Sequence, residues 1–281
     1  MLSLIIPTYN GIEYLGETVR SVLVQPLDGL ELILVDDGSS DGTAERLEQY
    51  RKDLHGKAKV ILREHAGVSA ARNAGIEAAA GDWIAFMDCD DCLMDGFLKG
   101  SRAVMEHEAD LYIFSFQRVE MLPDAGGGGP REHIIPVTVP YRFYETASDF
   151  ADHYIRERHL LIYSACNKFY RKSLLDEAGI RFREDLAFGE DRMFNYDYLR
   201  CCGSIVTSGL CMFRYMQRNA DSASRRVFPD YRNTLMKLHE AKVDCFISLS
   251  RSATEQEKAE FIAYDYATET QRIKEMMDQE R

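Results

Sequence analysis

The sequence lacks an excess of positive charge, a long apolar run and a patterned set of cysteines, and each absence removes a class of function. Its 281 residues carry 34 Lys and Arg against 46 Asp and Glu, a net charge of -12. That is the wrong sign for a general electrostatic nucleic-acid binder. No apolar stretch approaches the ~18 residues needed to cross a bilayer. The apolar start Leu2 to Ile6 is short and runs into Pro7-Thr8-Tyr9-Asn10, so a secretory signal is not expected. Seven cysteines, an odd number without repeated metal-ligand spacing, fit reduced thiols in a cytoplasmic protein. With 46% hydrophobic residues, 19 Gly and 7 Pro, the chain is neither disordered nor low in complexity. It is long enough to bury a sizeable core.

What is present is an alternation of strand and helix signals. Leu2 to Ile6, Leu30 to Val35, Lys59 to Leu62, Trp83 to Met87 and Leu111 to Phe116 are short, continuous apolar runs. They predict strands covered on both faces, as in a largely parallel sheet. Between them Ile12, Leu15, Val19 and Val22 recur at helical spacing, as do Leu47, Tyr50 and Leu54 behind the N-cap candidates Ser40 and Asp41. Ala71, Ala74 and Ala78 mark a helix whose small-residue face can lie close to a sheet. Alternating strand and helix means an α/β fold. Gly126 to Gly129 with Pro130 reads as a surface loop, and residues 131–215 mix short strands with helices. From Tyr231 the chain is helical, with one stripe at Leu235, Leu238, Cys245 and Leu249 and another at Ile262, Tyr266, Ile273 and Met276. Both stripes read as packing faces; docking on a membrane or on a second subunit, as a homodimer, is the alternative.

In an open α/β sheet ligands bind beyond the carboxyl ends of the strands. Three polar clusters stand there: Pro7-Thr8-Tyr9-Asn10, Asp36-Asp37-Gly38-Ser39-Ser40-Asp41-Gly42 and Asp88-Cys89-Asp90-Asp91. The second is also an ordinary capped turn by composition. In the third, three carboxylates in four residues repel one another unless a cation sits between them. Alternation along an extended segment would point Asp88 and Asp90 the same way, and hard oxygen ligands suit Mg²⁺ or Mn²⁺. Cys89 and Cys92 could be read as a redox pair, but the surrounding acids would raise the thiol pKa and disfavour that role. Glu190-Asp191, just before Met193-Phe194, suits a helix N-terminus as well as a catalytic base.

Taken in order, Ile6-Pro7-Thr8-Tyr9-Asn10, Val35-Asp36-Asp37-Gly38-Ser39, Gly67-Val68-Ser69-Ala70-Ala71-Arg72-Asn73 and Asp88-Cys89-Asp90-Asp91 resemble the family 2 glycosyltransferases. The likeness continues through Asn167-Lys168-Phe169-Tyr170-Arg171 and Phe188-Gly189-Glu190-Asp191, covering roughly residues 2–200. The resemblance implies a GT-A fold: a Rossmann-like mixed sheet flanked by helices, with a C-terminal helical extension. It places the catalytic domain at 1–215, divided into a donor half (1–116) and an acceptor half (117–215), with helices at 216–281. It implies an inverting enzyme that moves a sugar from a nucleotide-sugar, by default a UDP-sugar, to a glycan or lipid-linked acceptor in surface polysaccharide assembly. The transferred group would be a hexosyl or N-acetylhexosaminyl unit, and the work would be done in the cytoplasm or at the inner membrane face.

By the same resemblance Pro7, Tyr9 and Asn10 line the nucleotide pocket and Asp37, with Asp36, reads the base or ribose. Ser69 and Arg72 contact the nucleotide side of the donor, and Asp191 is the catalytic base. Asp88 and Asp90 form the Asp-x-Asp element, with Asp90 holding the divalent cation, Asp88 near the ribose and metal, and Asp91 the extra acid beside them. Lys168 and Arg171 line the acceptor side or are surface cations. Arg214 to Asn219 carries no histidine where many relatives have one, so Arg214 or Arg218 is the candidate to neutralise phosphate. Trp83 is the sole tryptophan and no Gln-x-x-Arg-Trp is present, which favours single-sugar addition over processive synthesis. A non-catalytic nucleotide-sugar-binding subunit and a sugar-1-phosphate nucleotidyltransferase are the competing readings; the latter wants a glycine-rich loop that Pro7-Thr8-Tyr9-Asn10-Gly11 does not supply.

Overall fold

Four apolar runs of the first half pair side by side. The computed structural model describes residues 1–54, 58–122, 131–158, 162–217 and 230–279, excepting the side chains of 277–279. In it β1 (Leu2–Thr8), β2 (Leu30–Asp36), β3 (Ala58–Leu62) and β4 (Trp83–Phe86) lie parallel in the order β3-β2-β1-β4. Leu4, Ile5, Ile6, Ile33, Leu34, Val35, Ile84, Ala85 and Phe86 are all buried, so the continuous apolarity reflects a sheet covered on both faces. Helices α1 (Ile12–Leu23), α2 (Thr43–Asp53) and α3 (Val68–Ala78) alternate with these strands.

Two local expectations are refined. The N-cap of α2 is Gly42, at φ 95°, and Asp41 caps from one residue earlier, accepting from the Thr43 amide at 3.0 Å and its hydroxyl at 2.6 Å. On α3 the closest approach to the sheet is at Gly75 rather than at an alanine. A Cβ added there would stand 2.4 Å from Ile5 Cγ2, while Ala71 is buried and Ala74 and Ala78 are half-buried.

The second half extends the same sheet through pairings between segments far apart in sequence. It contains β5 (Cys92–Leu93), α4 (Phe97–Met105), β6 (Leu111–Leu122), β7 (Arg131–Val137), β8 (Arg142–Tyr144), α5 (Ala147–Glu157), β9 (Lys168–Arg171), α6 (Lys172–Glu177), α7 (Glu190–Leu199) and β10 (Ile205–Gln217). The order continues β4-β9-β6-β10-β5, with β7 on β6 and β8 on β10. Because β9 is antiparallel to both β4 and β6, and β10 is parallel to β6, strands β4, β6 and β10 all point their carboxyl ends the same way. The glycine run at 126–129 and residues 218 and 219 lie outside the described residues.

Helices α8 (Tyr231–Leu249) and α9 (Glu255–Gln279) pack against each other and against α5, with α8 also on α7. The first expected stripe is buried at Leu235, Leu238 and Cys245. The second is not the packing face: Ile262 is 39% and Tyr266 52% exposed, whereas Phe261, Asp265 and Glu269 are each 1% exposed. The inward face of α9 carries two carboxylates because α7 and α8 present partners to them: Arg192 to Glu269, and Lys242 with the His239 ring to Asp265. Among the described residues no helix is long and apolar enough to cross a membrane.

Candidate active site

The parallel strands deliver the three polar clusters to one edge of the sheet, and short-range hydrogen bonds lace the first two together. The Asp37 amide donates to the Thr8 carbonyl at 2.9 Å, the Asn10 amide to Ser39 Oγ at 2.8 Å, and the Ser40 amide to Asn10 Oδ1 at 2.9 Å. Asn10 makes this link from a left-handed φ of 48°, a conformation that asparagine tolerates better than most residues. Pro7 is buried within β1. The Ile5 carbonyl faces β4, accepting from Met87, and Pro7, two residues on, faces the same way beyond the last paired residue of β4. Its missing N–H therefore breaks no ladder bond.

Asp36 and Asp37 are each 2% exposed. Asp36 Oδ2 accepts from the Ser39 amide at 3.0 Å, while its Oδ1 is buried without a hydrogen-bond partner among the described residues. Asp37 organises the loop that enters α3: its carboxylate accepts from the amides of Ala66 (3.2 Å) and Gly67 (2.7 Å) and lies 3.3 Å from Arg63 and 2.8 Å from His65. Tyr9 and His65 stack with ring centroids 4.2 Å apart, both half open to solvent, with His65 beside Asp37. His65 was not singled out by the sequence reading. Its only signal is position, at the carboxyl end of β3.

The centre of the site is Arg72, one turn into α3 and 4% exposed. Its guanidinium lies 5.1 Å over the ring of Phe182, which stacks on Phe194 at 4.0 Å. From this apolar floor Nη2 donates to Asp88 Oδ1 at 3.0 Å, and Nη1 donates to Asp191 Oδ1 at 2.7 Å and Glu190 Oε1 at 3.1 Å. One cation thus joins the loop after β4 to the first turn of α7. Burial alone would weaken the Arg72 cation, but Asp191, Asp88 and Glu190 outweigh it and hold the group firmly protonated.

Glu190 and Asp191 fill the first turn of α7 behind Gly189, at φ 80°. The pair thus meets the preference of a helix N-terminus for acidic residues and also contacts Arg72. Burial, and after it the charge of Asp191, pushes the Glu190 carboxyl above its ordinary range. Mutual repulsion within the pair is thus second to desolvation. Asp191 Oδ2 accepts from the Ala165 amide at 3.0 Å, so both of its oxygens are oriented. Ser69 is buried in the first turn of α3.

The acidic trio divides. Asp88 is 38% exposed, Asp90 is half-buried, and Asp91 is fully buried, accepting from the Met216 amide at 2.9 Å and so tying this loop to β10. Among the described residues no group of three or more His, Cys, Asp or Glu is arranged to hold a metal ion. Asp88 and Asp90, each partly open to solvent, are nevertheless hard oxygen donors of the kind that a Mg²⁺-like ion keeping its waters would take together with substrate phosphate. All seven cysteines are free thiols, and burial, with Asp90 and Asp88 nearby, pushes Cys89 up to about 12, which removes the redox reading.

Lys168 is no surface cation. It is 1% exposed and donates to the Ser164 carbonyl at 2.5 Å and to Asn167 Oδ1 at 2.8 Å, and burial pushes its amine down to about 7. Arg171 pairs with Asp110 at 3.0 Å and lies over the Trp83 ring, and Arg214 pairs with Glu132 at 2.5 Å. Arg218 lies outside the described residues.

A sheet with a parallel half opening onto acidic loops, an Asp-x-Asp after the fourth strand and helices at the C-terminus is the architecture of the GT-A glycosyltransferases. The crystal structure of Staphylococcus aureus TarS 1–349 in complex with UDP-GlcNAc shares this fold with a TM-score of 0.70 at 24% identity, over 94% of this chain and 71% of that one. The family described as Glycosyl transferase family 2 matches residues 3–179, and the chain belongs to that family. Among curated relatives, the uncharacterized glycosyltransferase EpsJ of Bacillus subtilis is 28% identical over 249 residues, 86% of this chain and 69% of its own length. The poly(ribitol-phosphate) beta-N-acetylglucosaminyltransferase TarS of S. aureus is 30% identical over 195 residues, 68% of this chain but only 31% of its own length.

Proposed function

We propose that this family 2 glycosyltransferase transfers one sugar, with inversion, from a UDP-sugar to a hydroxyl of a glycan or lipid-linked acceptor in cell-surface polysaccharide assembly. The observation that carries the reading is the Arg72 junction, which sets Asp88 and Asp191 on opposite nitrogens of one guanidinium. Inversion needs a leaving group on one side of the anomeric carbon and a base on the other; on this reading Asp88 serves the first side and Asp191 the second.

Tyr9 and His65 would stack on the base, and the half-open Asn10 loop and Asp36 would meet the ribose side. Asp88 and Asp90 would hold Mn²⁺ or Mg²⁺ together with the diphosphate; such an ion stabilises the charge that gathers on a departing diphosphate. Asp191, oriented by Ala165 and Arg72, would take the proton of the incoming hydroxyl, a contribution of about 10²- to 10⁴-fold. Arg72 would hold the Asp191 carboxylate in place through one terminal nitrogen and offset charge near Asp88 through the other. On this reading residues 1–215 hold the donor and acceptor sites, and the helices of 216–281 support them.

Thermal shift across a nucleotide panel, with and without Mn²⁺, tests the class: the reading expects a Mn²⁺-dependent shift with UDP and none with ATP. Asp191→Asn should lose transfer while keeping donor affinity. Near wild-type transfer in that variant would remove Asp191 from the chemistry, whereas a wild type that binds donor without transferring it would leave a binding subunit as the better description.

A further inference from the structure

We propose that the C-terminal helix α9 positions the base, with Glu269 and Arg192 as the coupling pair. The inference rests on the reading of Asp191 as the base and goes beyond it to the elements that hold that carboxylate still.

The starting point is a cost. Two carboxylates on the inward face of α9, Asp265 and Glu269, are 1% exposed. A buried ion pair is a weak source of stability, and apolar residues of similar volume often serve as well or better. What these acids do is grip two particular elements. Glu269 Oε1 accepts from Arg192 Nη1 at 2.9 Å, and Arg272 approaches both Glu269 oxygens at 3.4 Å. Arg192 is the residue after Asp191, so this pair anchors the first turn of α7 from behind.

The second grip is on the segment before β9. The guanidinium of Arg192 lies 4.4 Å from the Tyr163 ring centroid, Lys242 Nζ 4.8 Å and the Arg272 guanidinium 5.1 Å. Lys242 also donates to the Tyr163 hydroxyl at 2.8 Å and to Asp265 at 2.5 Å. Tyr163 is thereby clamped among three cations that α9 neutralises. Two residues along, the Ala165 amide donates to Asp191 Oδ2. Asn195 on α7 closes the loop by donating to the carbonyls of Ile162 at 2.6 Å and Ser164 at 3.1 Å. Both contacts that orient Asp191 from the helical side, its own helix turn and the Ala165 amide, therefore trace back to Glu269, Arg192 and the Tyr163 clamp. Glu269 and Arg192 are positioning residues, not catalytic ones.

The test uses Glu269→Gln, with Glu269→Asp and Arg192→Lys as conservative partners, in the full chain. Donor hydrolysis, with water taking the sugar in place of the acceptor hydroxyl, is followed as UDP release with Mn²⁺ and the UDP-sugar that stabilises the wild type most, and amide hydrogen exchange is read by mass spectrometry on the unliganded proteins. The expected result for Glu269→Gln is a kcat roughly 10- to 100-fold lower with a donor KM within about two-fold, because a misplaced base slows chemistry without weakening donor binding. Exchange should quicken at 162–166 and 189–193 and stay unchanged in β1 to β4, and Glu269→Asp should recover part of both effects. Wild-type kcat with wild-type exchange at those segments overturns the inference, and so does exchange that rises evenly along the chain, which marks a general loss of stability. If Glu269→Gln does not fold, Arg192→Lys carries the same two readouts. Asp191→Asn runs alongside: full UDP release in that variant sinks the base assignment, whereas an inactive Asp191→Asn with an unaffected Glu269→Gln sinks only the present inference.

Discussion

Replacing Arg72 by methionine is the sharpest perturbation of the site. Methionine keeps most of the side-chain volume over the Phe182 ring but removes the one cation that, among the described residues, Asp88, Glu190 and Asp191 share, at 3.0, 3.1 and 2.7 Å. Removing one partner of a buried ion pair costs about 3–5 kcal/mol, because it leaves uncompensated charge behind. The acids here are 38, 15 and 19% exposed, so solvent screens part of the penalty; a loss of about 3 kcal/mol at pH 7 is expected. Urea unfolding, followed by the fluorescence of Trp83, the sole tryptophan, measures it. The pH dependence adds a second check. Glu190 already titrates above its ordinary value, and loss of Arg72, which lowers it, would raise it further. A carboxyl whose folded pKa exceeds the unfolded value contributes stability fully below the unfolded value and loses it as pH rises through the folded one. The deficit of the variant should therefore shrink at pH 5 and grow toward pH 7. A loss below about 1 kcal/mol at pH 7, or a deficit that grows on acidification, would refute the assignment of Arg72 as the shared counter-ion.

Further outcomes follow from other parts of the molecule. Asp152 on α5 is buried and accepts from Ser250, Ser252 and Ala253 in the turn between α8 and α9; burial opposes ionisation, but these donors hold its carboxyl below the ordinary range. Its contribution is present above about pH 4 and lost on further acidification, so Asp152→Asn should cost about 2 kcal/mol at pH 7 and flatten the acid limb of a stability profile. The buried Lys168 amine, pushed down to about 7, penalises the folded state below that pH and releases the penalty as pH rises toward the unfolded value. Wild-type stability should therefore gain from pH 7 to 9 a component that Lys168→Met lacks in parallel denaturation curves. Gly75→Ala forces a methyl group against Ile5 and should cost about 1–3 kcal/mol by the same measurement, since the packed interface of α3 and β1 has no slack.

The parallel half of the sheet was legible because a strand buried on both faces writes its own signature, a short unbroken apolar run, and four such runs became β1 to β4. The three polar clusters were legible for a related reason, since parallel strands place their carboxyl ends together. The second half was not, because β9 is only four residues long and owes its place in the sheet to pairing with Trp83 and Ile84 of β4 and Leu111 to Ile113 of β6, all more than fifty residues away in sequence. The same non-locality hid the inward turn of Asp91 toward Met216, the burial of Lys168 and the acidic inner face of α9. Each depends on a partner that no local spacing announces. At Ile262 and Tyr266 helical periodicity pointed the wrong way, since a carboxylate with two cations waiting is as good an inward residue as isoleucine.

The central claim is that diphosphate departure near Asp88 and proton removal at Asp191 face each other across one reacting centre. A crystal structure of the protein soaked with UDP and Mn²⁺ tests it most directly. The account predicts Mn²⁺ about 2.1 Å from a carboxylate oxygen of Asp88 or Asp90 and from a diphosphate oxygen, with the Asp191 carboxylate opposite them and open to an acceptor. A diphosphate bound away from that loop, or an Asp191 closed off from the space beside it, would contradict it.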